Sequence, residues 1–179
     1  MAYGEHRLDG DAELASPENL GTGPILVGID FSEGSKEALA WAAEMAIAFN
    51  AALIALHVVH DPAEAPGYYL RAHEFVPGEI ERIAQTMMAE FIADARKQLP
   101  RLSEVRRVDT AVVVGLPVTR ILEVAEREGA RSIVMGAQGR TALGDTLLGS
   151  KVERVTRLSQ IPVTIVKTQA AIERKDANP

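Results

Sequence analysis

Four residues in the second half of the chain carry its clearest chemical suggestion: Gly136, Gly139, Gly149 and Ser150, within MGAQGRTALGDTLLGSK, residues 135–151. Their spacing is G-x-x-G, nine further residues, then G-S. Glycine has no Cβ, so Gly136 and Gly139 let a backbone turn sharply and approach a ligand with no side chain between. At a helix start, backbone N–H groups and the Ser150 hydroxyl can bind a phosphate that the helix dipole also favours. Two such clusters suggest a grip on ribose and phosphates from different sides. The plainer reading stays open: the glycines punctuate a turn and Ser150 caps a helix.

Sharper phosphate signatures fail on the letters. GDTLLGSK contains G-x-x-x-x-G, but Ser150 then precedes Lys151, the reverse of the Walker order, and the loop lies too far from its strand. A dinucleotide fingerprint needs G-x-G-x-x-G directly after the first strand, where ILVGID supplies only Gly28. His6, His57, His60 and His73 show no H-E-x-x-H spacing or other metal set. E-G-S-K is not the G-x-S-x-G elbow of a serine nucleophile, and no residue stands out as positioning a water for phosphoryl transfer. The residues indicate binding rather than dedicated catalysis.

Composition bounds the rest. With 179 residues, 47% of them apolar, the chain is sized for one domain with a substantial core. A formal charge of −6 argues against general nucleic-acid binding, which needs a basic surface, but not against one bound nucleotide held by backbone N–H groups. There is no cysteine, so disulfide and thiolate chemistry are excluded. No apolar run reaches membrane-spanning length, and the N-terminus lacks the basic start and apolar stretch of a signal peptide, so a cytoplasmic protein is expected.

The elements that must position these residues alternate between strand and helix. Residues 1–23 read as a loose polar tail, 24–168 as one domain and 169–179 as a second tail. ILVGI (25–29) is a short continuous apolar strand, followed by an Ala-rich helix whose stripe is expected at Leu39, Ala42, Ala46 and Phe49. AALIALHVV (51–59) is the second strand, and the proline-rich stretch from His60 reads as a loop over a site. Ile80, Ile83, Met87, Phe91, Ala95 and Leu99 fit one helical face. RVDTAVVVG is the third strand; Gly115 marks a turn, Pro117 a first helical position and Gly129 a C-terminal cap. RSIVMGA, a helix from about Gly149 or Ser150, and PVTIVK complete the series. Five strands separated by four helices predict an α/β fold, an open parallel sheet with helices on both faces. Ligands of such sheets sit beyond the carboxyl ends of strands, where Asp30, His57 to Val59, Gly115 and the loop from Met135 to Ser150 all fall.

Residues 133–167, IVMGAQGRTALGDTLLGSKVERVTRLSQIPVTIVK, resemble the C-terminal half of the universal stress protein family, in particular its ATP-binding branch with the motif G-2x-G-9x-G-[ST]. ILVGIDFSEGSKEALAWA is similar to the family's opening strand, Asp-x-Ser turn and first helix, and the likeness extends over about residues 24–168. The resemblance implies the adenine nucleotide alpha hydrolase-like variant of the Rossmann-like sheet, with strand order 3-2-1-4-5. It implies ATP as ligand, with Mg2+ bound through the phosphates. Asp30 would lie near adenine and ribose, and its plainer reading is a helix cap shared with Ser32. Val58 would read the adenine edge through its backbone, although a core valine would look the same. Met135 and Gly136 would lie by the ribose, Gly139 and Arg140 along the phosphates, and Gly149 and Ser150 would donate to the phosphates. Gln138 stands where the family often has His or Arg, and Lys151 replaces the usual valine, either as an added phosphate partner or as a solvated lysine.

Function follows from that resemblance. A nucleotide-dependent regulatory module of the stress response is expected, with at most slow ATP hydrolysis and a regulatory protein partner that the sequence leaves unknown. The final strand, about 162–167, resembles the element through which family members form homodimers. Two alternatives stand beside it: a dimeric interaction module that binds no nucleotide, and a weak ATPase or nucleotidylating enzyme. The last would need a Ser-Gly-Gly-x-Asp-Ser loop after the first strand, which IDFSEGS lacks.

Overall fold

The computed structural model describes residues 22–60, 78–139 and 148–168. Strands β1 (Ile25–Gly28), β2 (Leu53–Val59), β3 (Val108–Val114), β4 (Ser132–Gly136) and β5 (Val163–Val166) form one parallel sheet in the order β3-β2-β1-β4-β5. Helices α1 (Glu33–Ala48), α2 (Glu79–Gln98), α3 (Pro117–Arg127) and α4 (Ser150–Leu158) connect them. The strand order and alternation agree with the expectation. The chain moves outward from β1 through β2 to β3, then returns to the other side of β1 as β4. The order therefore reverses between β1 and β4, where a parallel sheet opens a crevice at its carboxyl end.

Both faces of the sheet are covered, which is why its central strands read as continuous apolar runs. Ile25 and Val27 pack with Leu39, Ala42 and Ala46 of α1 and Met88, Ile92 and Ala95 of α2. Leu26, between them in sequence, points to the opposite layer with Ile121 and Val124 of α3 and Val152 and Val155 of α4. This alternation is the two-residue period of a strand. Burying each large side chain of this kind contributes about 1.5–3 kcal/mol.

Two expected helical faces are corrected. Phe49 is 48% exposed: α1 ends at Ala48, so the helical period no longer directs the Phe49 ring inward, and the Arg131 guanidinium covers it at 4.1 Å. In α2 the buried line is Ala84, Met88, Ile92 and Ala95, while Ile83 is 40% exposed. Apolar residues occupy both lines, and the helix turns the one with two alanines to the sheet. Small side chains there let it lie close, leaving Phe91 at the rim of the core.

The local punctuation behaves as its chemistry requires. Pro117 opens α3, where a missing N–H costs nothing. Gly129 follows its C-cap with φ +59°, a left-handed conformation that glycine adopts without strain.

Candidate functional site

The exit from β1 is built by three short side chains. Asp30 Oδ1 accepts from the Ser32 N–H at 3.1 Å and from the Ser32 hydroxyl at 2.5 Å. Ser32 Oγ in turn accepts from the Ser35 N–H at 3.2 Å, which makes Ser32 the N-cap of α1. Asp30 is thus not itself the cap; it orients the cap while its second oxygen reaches across the crevice. A Cβ built on Gly139 would lie 2.9 Å from Asp30 Oδ2, so the carboxylate and the loop after β4 are neighbours. Between Asp30 and Ser32, Phe31 takes φ +63°, the left-handed region that costs a non-glycine residue about 1 kcal/mol or more.

At the exit from β4 the glycines act through close approach. Among the described residues, positive φ glycines are Gly78, Gly115 and Gly129, so neither Gly136 nor Gly139 uses the left-handed freedom of a sharp turn. A Cβ on Gly136 would meet the carbonyl carbon and oxygen of Gly34 at 2.8 Å. A Cβ on Gly34 would lie 3.0 Å from the Gln138 carbonyl oxygen. Two glycines therefore let the first turn of α1 press against the end of β4. Gly136 faces the protein's own backbone on that side, a packing role that the loop pattern did not convey. Gly34 was missed altogether, although a glycine inside a helical turn is a local cost that signals a packing reason.

The second cluster closes onto the first. Gly149 is the N-cap of α4 and makes no side-chain cap bond. Its N–H donates to the Ala137 carbonyl at 2.8 Å, and Ala137 N–H donates to Val166 O at 2.7 Å. Gly149 N–H is therefore spent inside the fold, in contrast to the expected phosphate donor. What remains at the start of α4 is the set of N–H groups of its first helical residues, Ser150 and Lys151 among them, both exposed. Ser150 is the first helical residue rather than the cap. Arg140 and the excursion through residue 147 lie outside the described residues, as do the loop at 61–77, His6 and His73.

Met135 contributes backbone to the site, since its side chain is buried in the layer formed by α3 and α4. Val58, at the end of β2, is half-buried in the same layer. Beside it His57 is buried, and its Nδ1 lies 2.8 Å from the Ile29 carbonyl oxygen. A carbonyl only accepts, so Nδ1 carries the proton. The Phe31 ring lies against His57 at 4.4 Å and against Phe91 at 5.7 Å, a second connection between β1, β2 and α2. His60 Nδ1 is buried without a hydrogen-bond partner among the described residues. No group of three or more His, Cys, Asp or Glu side chains that could hold a metal ion occurs among the described residues.

The geometry thus brings Asp30, Gly136, Gly139, Gly149, Ser150 and Lys151 to one end of the sheet, with Val58 on the next strand. A carboxylate and helix-start N–H groups that no carbonyl within α4 can take are the donor and acceptor types that bind a hydroxylated, anionic ligand.

Known proteins share this architecture. The family model described as the universal stress protein family matches residues 21–167. A universal stress protein of Methanocaldococcus jannaschii is 34% identical over 145 residues, an alignment covering 80% of this chain and 81% of that one. A universal stress protein of Mycobacterium tuberculosis is 29% identical over 161 residues, 89% of this chain but 49% of the relative, so this chain spans about half its length. Among solved structures, a universal stress protein in complex with cAMP is similar with a TM-score of 0.55 at 26% identity, covering 82% of this chain and 98% of the other.

Proposed function

This chain belongs to the universal stress protein family, and from that premise we propose that it is a cytoplasmic regulatory module that binds ATP between the carboxyl ends of β1 and β4. The observation that carries the reading is the approach of Asp30 Oδ2 to Gly139, beside the start of α4. A carboxylate at that place accepts from ribose hydroxyls, and the first N–H groups of α4 face the phosphate end. The likeness to a family member crystallised with cAMP supports an adenine base in the site. Val58 then reads the base through its backbone, Met135 and Gly136 flank the ribose, and Gly139, Arg140, Ser150 and Lys151 hold the phosphates. Gly149 serves by fixing the start of α4. Mg2+ comes with the phosphates, whose negative charge it offsets, and any hydrolysis is slow.

Gently purified protein is denatured and the released nucleotide identified, with thermal melts run with and without Mg-ATP. At a hundredfold excess over Kd, ligand binding stabilises by about 2.7 kcal/mol, which raises Tm by roughly 5–11 °C in a chain of this size. No released nucleotide and no shift would refute the reading and leave an interaction module.

The outer edge of β5 supports a homodimer. Ile133 N–H donates to Pro162 O and Ala137 N–H to Val166 O, so by alternation Val163 and Ile165 direct their N–H groups away from β4. Ile165→Pro removes an outward donor and spares the ladder to β4. Light scattering should show the mass falling from dimer to monomer; an unchanged mass would place the contact elsewhere.

A further inference from the structure

The ladder between β1 and β2 stops one rung before the geometry of the strands requires. Ile29 N–H donates to Leu56 O at 2.8 Å, so Leu56 addresses the β1 side; Gly115 N–H donates to Val59 O at 3.0 Å, so Val59 addresses the β3 side. Backbone direction alternates along a strand, and Val58 therefore presents its N–H and C=O toward β1. The next rung would pair the Val58 N–H with the Ile29 carbonyl. That carbonyl instead accepts from His57 Nδ1 at 2.8 Å. Phe31, the residue whose N–H would next meet Val58 O, is turned into the left-handed region at φ +63° and stacks its ring on His57. Among the described residues no backbone partner takes either polar group of Val58.

We propose that His57 is a positioning residue: by capturing the Ile29 carbonyl it holds the β1–β2 ladder open, so that the Val58 backbone is left to recognise an adenine edge. This rests on the nucleotide reading of the site. A strand residue with both N–H and C=O free, in that order, matches the N1 acceptor and N6 amine donor of adenine. It mismatches inosine, whose N1 carries a hydrogen and whose O6 accepts. The imidazole never touches the base; it acts through Ile29.

Two measurements test this independently. In amide exchange of the protein without nucleotide, Val58 should exchange faster than Val59, whose neighbour in the ladder is β3. In His57→Phe, which keeps a ring but loses the donor, the freed Ile29 carbonyl accepts the Val58 N–H and exchange at Val58 slows. His57→Asn, which places an amide donor near the position of Nδ1, restores fast exchange. In binding, ATP affinity should fall about tenfold in His57→Phe, the loss of base-edge hydrogen bonds worth about 1.4 kcal/mol. The ratio of ATP to ITP affinity should move toward one in the same variant and recover in His57→Asn. A merely structural histidine would alter Tm without changing that ratio. Slow exchange at Val58 in the wild type overturns the proposal even if His57→Phe does not fold, as does an unchanged ATP-to-ITP ratio in a folded His57→Phe. If the wild type binds no nucleotide, the site reading fails separately, and unchanged exchange at Val58 in His57→Phe would then overturn the role of His57 alone.

Discussion

Gly136→Ala separates two reasons for a glycine at the end of β4. If Gly136 exists only to let a ligand approach, adding a methyl group weakens binding and leaves the free protein as stable as before. The geometry gives the opposite result. The new Cβ would lie 2.8 Å from the carbonyl carbon and oxygen of Gly34 and 3.4 Å from its Cα. Favourable contacts between such heavy atoms lie near 3.5–4.0 Å, so α1 and β4 must separate by roughly half an ångström or more. The atoms in the way are backbone in the first turn of α1, which no rotamer change can clear. Turning that helix also disturbs the chain from Asp30 through Ser32 to Ser35. Overpacking of this kind costs about 1–3 kcal/mol. For a chain of this size each kcal/mol moves Tm by about 2–4 °C, so the variant should melt roughly 2–12 °C lower without any nucleotide present. Calorimetry on the ligand-free protein reads this directly. Gly149→Ala is the control, because its Cβ would meet nothing closer than the Ala137 carbonyl oxygen at 3.5 Å. A Gly136→Ala protein melting within about 1 °C of the parent would refute the packing argument.

Other variants test other parts of the fold. Ser32→Ala removes the N-cap acceptor of the Ser35 N–H and should cost ~1 kcal/mol, read as a lower midpoint in urea with an unchanged slope. Gly129→Ala has open space around the new methyl group but must hold φ near +59°, so strain alone should cost ~1 kcal/mol in the same titration. Leu39→Ala, at a fully buried position of α1, should lose about 2–5 kcal/mol, and circular dichroism melts would detect it. Trp41→Ser, on the exposed face of the same helix, should stay within about 0.5 kcal/mol by the same melts.

The alternation of elements and several of their starts and stops are legible in the letters alone, although α1 ends one residue before Phe49 and β2 begins at Leu53. ILV and LIAL read as strands covered on both faces, Pro117 as a helix start and Gly129 as a helix stop, because each depends on local backbone chemistry or on a two-residue period. The convergence of Asp30 with the G-x-x-G and G-S clusters was also legible, since the carboxyl ends of parallel strands share one side of the sheet. How those residues meet depends on contacts between segments far apart in the chain. Periodicity told that α2 has an apolar arc, not which line of it turns inward, because that depends on how closely alanines let it lie on the sheet. Glycine spacing marked Gly136 without revealing that Gly34, a hundred positions earlier, occupies the space its side chain would need. Ser150 and Gly149 looked alike as helix-start donors until the Ala137 carbonyl took one of the N–H groups. In each case the deciding partner is distant in the chain, and which polar group remains available is settled only when the folded backbone has satisfied its own hydrogen bonds.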